Sequence, residues 1–108
     1  VILCMFHTDR PEKAGMVQLN DDNIVKRIDD KPETTQLEWM WGAVIWKPIF
    51  TDFFHDCIHN KQITDYANIF NEAISSGIKF KGVGFEDGKY LDMGTYNDVL
   101  RLSQWLKK

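Results

Sequence analysis

The sequence has few cysteines, few prolines and no long apolar run. Its 108 residues include two cysteines and three prolines. Cys4 and Cys57 each lie in an apolar stretch and form no CxxC pair, so we expect reduced core thiols in a reducing compartment, the cytoplasm, rather than a disulfide. No stretch approaches the roughly 20 consecutive apolar residues of a membrane helix, so no membrane partner is expected. The start, VILCMF, is also too short for a signal peptide.

An excess of basic residues is also missing. The 13 Lys and Arg residues are outnumbered by 16 Asp and Glu residues, which gives a net charge of -3, so no nucleic-acid partner is expected. The sequence does contain 44% hydrophobic and 13% aromatic residues, a composition that excludes a disordered chain. Because a chain of this length can bury one core, we expect residues 1–108 to form a single domain.

Apolar runs alternate with helical patterns along the chain. Apolar or alternating segments predict strands over residues 1–6, 16–19, 24–28, 39–46, 79–85 and 90–93. The first of these is continuously apolar, which is typical of a strand that is buried on both faces. Helices are predicted to begin near Pro48 and after the capping residues Thr64 and Thr95. The predicted fold class is α/β, a mixed sheet with flanking helices.

Two histidines on the first predicted helix suggest a metal site, but the helical pattern favours another interpretation. His55 and His59 in the run His-Asp-Cys-Ile-His resemble the H-E-x-x-H zinc signature and share one helical face. That face lies opposite the apolar face that carries Phe50 and Phe54, so we expect both imidazoles to be exposed. A third ligand is not evident unless His7 supplies it.

Charged residues end a predicted strand at residues 29–32, Asp-Asp-Lys-Pro. Asp30 and Lys31 could hold a hydroxylated, phosphorylated small molecule, because a carboxylate binds sugar hydroxyls and an ammonium group binds phosphate. Ligands of α/β proteins also bind at strand ends. On composition alone a solvated turn is favoured over this site. Arg10 and Lys13 in the first loop are expected to be solvated, with phosphate binding as the alternative.

Asp92 stands inside the apolar segment 90–93, just before Gly94 and Thr95. A carboxylate that is buried in a strand needs a partner. A divalent metal is one candidate, because Mg²⁺ takes one or two carboxylates together with substrate phosphates. Backbone amides at the start of the next helix are the other candidate.

Three tryptophans lie in the predicted strand over residues 39–46. Alternation places Trp39 and Trp41 on one face of this strand and Trp46 on the other. They could stack on a base or a sugar, although packing in the core is favoured. Gly42 lies among them, and a glycine within a strand often marks the close approach of a ligand or of another backbone segment.

Taken in chain order, four segments resemble the second half of a nucleotide-sugar pyrophosphorylase, the nucleotidyltransferase family typified by glucose-1-phosphate thymidylyltransferase. They are residues 15–22 (a glycine-started strand and hairpin), 28–32 (close to the family's Glu-Lys-Pro), 41–50 (a glycine-containing strand and the next helix) and 90–100 (close to the family's Trp-x-Asp-x-Gly-Thr end motif). Residues 6–13 are similar to a bacterial branch of the same family. The resemblance covers nearly the whole chain.

The resemblance implies the C-terminal portion of a Rossmann-like nucleotide-diphospho-sugar transferase fold. It implies an activity in which a sugar-1-phosphate attacks the α-phosphate of a nucleoside triphosphate and releases pyrophosphate. It assigns the sugar hydroxyls to Asp30, the sugar phosphate to Lys31, and one of two Mg²⁺ contacts to Asp92. Gly15 and Gly42 would let the sugar approach the backbone.

The sequence also departs from the family. Asp30 stands where the family usually has Glu, and Tyr90 where it often has Trp. The family's Gly-rich triphosphate loop and first metal-binding Asp belong to an N-terminal half that this sequence lacks. We therefore expect either part of a longer enzyme, inactive by itself, or a non-catalytic sugar-phosphate-binding or interaction module built on half of the fold. Half of a domain would leave apolar surface uncovered, so self-association is expected.

Overall fold

Five strands form one mixed sheet in the computed structural model, which describes residues 1–107. The strands are β1 (Ile2–His7), β2 (Gly15–Leu19), β3 (Val25–Asp30), β4 (Trp39–Ile45) and β5 (Lys81–Gly84). Their order in the sheet is β3-β2-β4-β1-β5. The β1–β5 pair is parallel, and the other three neighbouring pairs are antiparallel. The predicted α/β class with a mixed sheet is confirmed.

Three α-helices accompany the sheet. They are α1 (Pro48–Asn60), α2 (Tyr66–Ser75) and α3 (Tyr96–Leu106), and a short 3₁₀ turn spans Pro11–Lys13. Across residues 1–107, none of the helices has the length and apolar character needed to cross a membrane.

The helix starts follow the expected capping chemistry with one exception. Thr95 caps α3, because its hydroxyl oxygen accepts a hydrogen bond from the backbone N–H of Asp98 at 3.1 Å. Thr64 was expected to cap α2, and this prediction is wrong by one residue. Asp65 is the cap, since its carboxylate accepts bonds both from the backbone N–H of Asn68 at 3.1 Å and from that residue's side-chain amide at 2.8 Å.

The main core lies between one face of the sheet and helices α1 and α2. Its most deeply buried large side chains include Leu3, Met5, Phe50, Phe70 and Phe80, each no more than 4% exposed. The Phe70 ring packs 5.3 Å from the Phe80 ring between their centroids. Aromatic packing of this kind adds about 0.5–1.5 kcal/mol per pair beyond the burial of apolar area.

The other face of the sheet is covered less completely. A small cluster of Ala14, Met16 and Met40 is buried there, while Ile2 remains 37% exposed at the start of β1. The prediction that β1 is buried on both faces is therefore wrong, because helices cover one face while a small cluster and a loop segment cover part of the other. Both cysteines are free thiols; Cys57 is buried in α1, and this burial raises the pKa of its thiol.

Gly42 forms a β-bulge that reverses the direction of the side chains that follow it. Ala43 and Trp41 pair with consecutive residues of β1, while Gly42 lies between them without a partner in that strand. Strict alternation would put Trp46 on the face opposite Trp41. The extra residue returns Trp46 to the helix-covered face, where its ring packs 5.3 Å from that of Phe50. The prediction of opposite faces is wrong for this reason.

Residues 90–93 do not form the predicted strand. The Tyr90 ring lies 6.0 Å from the Phe6 ring and covers Gly42, so the segment crosses over side chains of the sheet. A backbone in this position cannot join the hydrogen-bond ladder at the edge of the sheet. An apolar run was therefore a misleading sign of a strand here.

A side chain of α2 completes the outer edge of β3. Asn71 accepts a bond from the backbone N–H of Ile28 at 2.8 Å and donates one to its carbonyl oxygen at 2.9 Å. Because β3 is an outer strand of the sheet, these backbone groups have no neighbouring strand on that side. The amide takes the place of a strand and fixes α2 against β3.

We predict that Asn71→Leu lowers the free energy of unfolding by about 1–3 kcal/mol, because it leaves two half-buried backbone groups without partners. Chemical denaturation measures the change. The matched control is Asn60→Leu, since Asn60 bonds to Asp56 on an exposed turn of α1. Equal losses in the two variants would contradict the role given to Asn71.

Candidate functional site

A cleft of about 310 Å³, lined by both charged and aromatic side chains, opens where the ends of several segments meet. All five residues that the resemblance assigned to a site line this cleft: Gly15, Asp30, Lys31, Gly42 and Asp92. They come from β2, the end of β3, β4 and the segment before α3. The fold thus brings together residues that are far apart in sequence, while their binding roles stay predictions.

Asp30 and Lys31 reach the cleft through a sharp change of direction at the end of β3. Asp30 pairs with Gly15 across the β2–β3 ladder. Lys31 then has a φ of 48°, in the left-handed region that favours glycine. A bond from its backbone N–H to the carbonyl oxygen of Ala14, at 2.8 Å, holds this conformation. Both charged side chains are exposed.

Packing within the protein explains both glycines of the cleft. A Cβ atom on Gly15 would lie 2.8 Å from Cδ1 of Trp41. A Cβ atom on Gly42 would lie 2.6 Å from Cδ2 of Tyr90 and 3.0 Å from the Phe6 ring. Aromatic rings therefore occupy the space that a side chain would need. Contact between a sugar and either glycine stays a prediction.

Asp92 differs from its expected environment. It is exposed and lies outside any strand, so the expectation of a buried carboxylate in a strand is wrong. Its carboxylate has no hydrogen-bond or ion-pair partner among residues 1–107. The alternative partners, the backbone amides that open α3, do not bind it; Thr95 accepts the bond from the Asp98 amide instead. The Asp92 carboxylate is therefore available to a ligand in the cleft.

The donor set of the cleft fits Mg²⁺ in part. The described part of the chain contains no cluster of three or more His, Cys, Asp or Glu side chains that could hold a metal by themselves. The exposed carboxylate of Asp92 still suits Mg²⁺, an ion that needs only one or two carboxylates when water and phosphate oxygens supply its other contacts.

The histidine pair of α1 faces solvent, as expected. His55 and His59 are both exposed, with ring centroids 6.0 Å apart. The third histidine is committed elsewhere, because Nε2 of His7 lies 2.8 Å from a carboxylate oxygen of Glu86. His7 therefore does not complete a site with the pair on α1.

Three further residues of the cleft were missed as site residues or mentioned only in passing. Lys13 adds a second ammonium group, and Asp65 and Tyr66 at the start of α2 add a carboxylate and an aromatic wall. Lys13 was named only as a loop residue that could meet phosphate, and Asp65 only for its effect on the helix. Tyr66 carries no local signal, because its position depends on how α2 packs against β3.

Two side-chain pairs join the end of β1 and the first loop to the segment around Asp92. His7 pairs with Glu86, and Arg10 lies 3.4 Å from Asp98, whose side chain is only 12% exposed. Arg10 was expected to be solvated and is half-buried instead. Hydrogen bonding to Thr95, and then to Arg10, lowers the pKa of Asp98.

A second cavity, of about 650 Å³, is chemically different from the cleft. Apolar side chains line most of it, among them Ile45, Ile49 and Phe53. Ile49 is 79% exposed and Ile45 is 60% exposed. The cavity shares no lining residue with the cleft.

Comparisons with known proteins give the fold. No family model and no curated protein matches the chain. A solved structure described as a glucose-1-phosphate thymidylyltransferase from Bacillus anthracis, in complex with sucrose, aligns with 99% of this chain at a TM-score of 0.76 and 15% identity. A nucleoside-diphosphate-sugar pyrophosphorylase from Vibrio cholerae aligns with 99% at a TM-score of 0.64 and 12% identity.

These alignments confirm that the chain has the fold of sugar nucleotidyltransferases. The chain spans less than half the length of either structure, 43% of the first and 46% of the second. The likeness therefore concerns part of that fold. At these identities it carries over the architecture and not the substrates.

We predict that Gly42→Ala lowers the free energy of unfolding by about 1–3 kcal/mol, because the new methyl group overlaps the Tyr90 ring. Combining it with Tyr90→Leu should restore part of the loss, since the shorter side chain can give way. A double-mutant cycle measured by thermal melting checks this coupling. Additive losses would show that Gly42 and Tyr90 act independently.

A second prediction concerns the charge of His7. Nδ1 faces the carbonyl oxygen of Glu38 at 3.3 Å and Nε2 faces Glu86 at 2.8 Å, so both nitrogens can donate only when the ring is protonated. The bond to Glu86 is the main cause that raises the pKa of His7 above 6.5. NMR titration should show this raised pKa, and Glu86→Gln should lower it.

The contribution of the His7–Glu86 pair to the free energy of unfolding decreases as the pH rises. Because the folded-state pKa is raised, the contribution of His7 is fully present below pH 6.5 and disappears as the pH rises through the folded-state value. The difference in melting temperature between the wild type and Glu86→Gln should therefore shrink as the pH increases. A difference that grows with pH would be the opposite of what the geometry requires.

Proposed function

We propose that this chain forms the sugar-phosphate side of a nucleotidyltransferase active site. In the reaction, an oxygen of a sugar-1-phosphate attacks the α-phosphorus of a nucleoside triphosphate, and the bond to the departing pyrophosphate breaks. The observation that supports this most is the convergence of Asp30, Lys31 and Asp92 on one cleft. The shared fold with sugar nucleotidyltransferases supports it independently.

The charges of the cleft suit a phosphorylated sugar. Lys31 and Lys13 are exposed ammonium groups that can neutralise a phosphate. Asp30 and Asp65 offer carboxylate oxygens to sugar hydroxyls. Each such hydrogen bond to a charged group contributes a net stabilisation of about 1.5–3 kcal/mol.

Aromatic side chains supply the apolar walls of the cleft. Trp41 and Tyr66 meet edge to face, with ring centroids 5.8 Å apart. Tyr90 lies across Gly42 on another side of the cleft. A sugar ring carries C–H groups on its faces, so it can pack against such walls while its hydroxyls bind the carboxylates.

The chain's own contribution to the chemistry is positioning and neutralisation of charge. Lys31 would hold the sugar phosphate so that an oxygen points at the α-phosphorus, and both lysines would reduce the repulsion between two anionic reactants. Asp92 would hold Mg²⁺, which supplies neutralisation of phosphate charge when it is bound.

We predict that Asp92→Asn, in the protein that carries this chain, lowers the rate of pyrophosphate release by about 100-fold or more, because the amide loses the charge that holds the metal. The fold should persist, since Asp92 is exposed and has no partner among the described residues. Asp87→Asn in the nearby turn is the matched control and should keep its rate. Near-normal turnover of Asp92→Asn would refute the metal role.

The alternative is a non-catalytic sugar-phosphate-binding module. One observation favours it: the groups suited to a sugar phosphate, Lys13, Asp30 and Lys31, line one cleft. Calorimetry with glucose-1-phosphate separates the two functions. Binding that Lys31→Met weakens, without pyrophosphate release by the full protein that carries this chain, would establish the module and reject the enzyme.

A further inference from the structure

We propose that the pairs His7–Glu86 and Arg10–Asp98 form a two-point clamp that positions the segment carrying Asp92. Residues 86–98 are called the clamped segment below. This proposal rests on the proposed function, because that function makes the position of Asp92 important. Arg10 and Asp98 are positioning residues in this account, because they act through Asp92.

The clamped segment receives little support from its backbone. Residues 89–94 lie outside helices and strands. The last backbone bond before them joins the N–H of Gly88 to Phe85 at 3.2 Å, and the next joins the N–H of Val99 to Thr95 at 3.1 Å. Between these points no backbone hydrogen bond is found within residues 1–107. Side chains therefore fix the position of Asp92: the Tyr90 ring packs on Gly42 within the segment, and the two pairs of the clamp hold its ends.

The first clamp point lies at the end of β1. The His7 ring stacks on Trp39 with centroids 4.0 Å apart, and its Nε2 lies 2.8 Å from Glu86. Just before the segment, Phe85 stacks on Phe6 at 5.4 Å. The turn that opens the segment is thus held by a stacked ring pair and, next to it, by a hydrogen bond between His7 and Glu86.

The second clamp point lies at the start of α3. Arg10 donates to Asp98, and the two side chains are 34% and 12% exposed. Arg10 is itself oriented, because its backbone N–H donates to the hydroxyl oxygen of Thr8 at 3.0 Å. Arg10, Asp98 and Asp92 line one small crevice beside the cleft. The pair is therefore close to the carboxylate that it would position.

Both points come from one short stretch of chain, the end of β1 and the loop that follows it. The same loop continues to Lys13, which lines the cleft. Tying Asp92 to this loop therefore fixes a carboxylate and an ammonium group relative to each other. The charged groups near the second point also include Asp9 and Arg101. Because these neighbours can respond to any change of charge, each substitution is compared with one in a distant ion pair.

Amide hydrogen exchange at Val99, whose N–H donates to the carbonyl oxygen of Thr95 beside the second clamp point, tests the clamp without any substrate. We expect about tenfold faster exchange in Arg10→Gln and in Asp98→Asn, because the start of α3 loses the pair that ties it to the first loop. Arg10→Lys keeps the charge and should restore part of the protection. The control is Lys61→Gln, which breaks the exposed pair with Glu72 at 2.9 Å on the other side of the molecule.

Kinetics then separate positioning from general stability. Arg10→Gln should lower kcat by about tenfold and leave the KM for the sugar-1-phosphate within about twofold, since the groups assigned to the sugar are untouched. Unchanged exchange in both clamp variants would overturn the clamp. Faster exchange with unchanged kcat would overturn its positioning role. If the full protein that carries this chain releases no pyrophosphate, the proposed enzyme fails while exchange still decides the clamp.

Discussion

The absence of a side chain at Gly42 is the constraint on which both the sheet and the cleft depend. The bulge at this residue shifts the alternation of β4, and so places Trp46 against α1 in the main core. On the other side of the strand, the open space at Gly42 receives the Tyr90 ring. One missing Cβ atom therefore connects packing on the helix-covered face with the position of a loop on the opposite face.

The contact between Tyr90 and Gly42 explains how residues 90–92 form one wall of the cleft without being a strand. Seating Tyr90 on Gly42 draws residues 90–92 across the sheet, so that Asp92 lies beside a cleft whose other wall is the turn at Lys31. The start of α2 closes a third side because Asn71 fixes that helix to β3. The site is thus a product of long-range packing, and its charged groups sit on loops that the rigid sheet holds in place.

The sequence predicted well what local patterns determine. Five of the six expected strands, the helix after Pro48 and the cap at Thr95 are present, because alternation, proline at a first turn and hydroxyl capping act over a few residues. Prediction from the sequence failed where contacts between residues far apart in the chain determine the structure. The strand expected over 90–93 and the burial of Asp92 were wrong, since Tyr90 docks on a residue 48 positions earlier. Asp65 and Tyr66 in the cleft could not be foreseen, because their place depends on helix packing.

The central claim is that the cleft, and not the apolar cavity near Ile49, receives a sugar phosphate. Titration of the ¹⁵N-labelled protein with glucose-1-phosphate, followed by NMR, tests it most directly. The account predicts saturable shifts, in the millimolar range or below, at the Trp41 indole and at the backbone amides of Gly15 and Lys31. Shifts confined to residues around Ile49, or no saturable shifts at all, would contradict it.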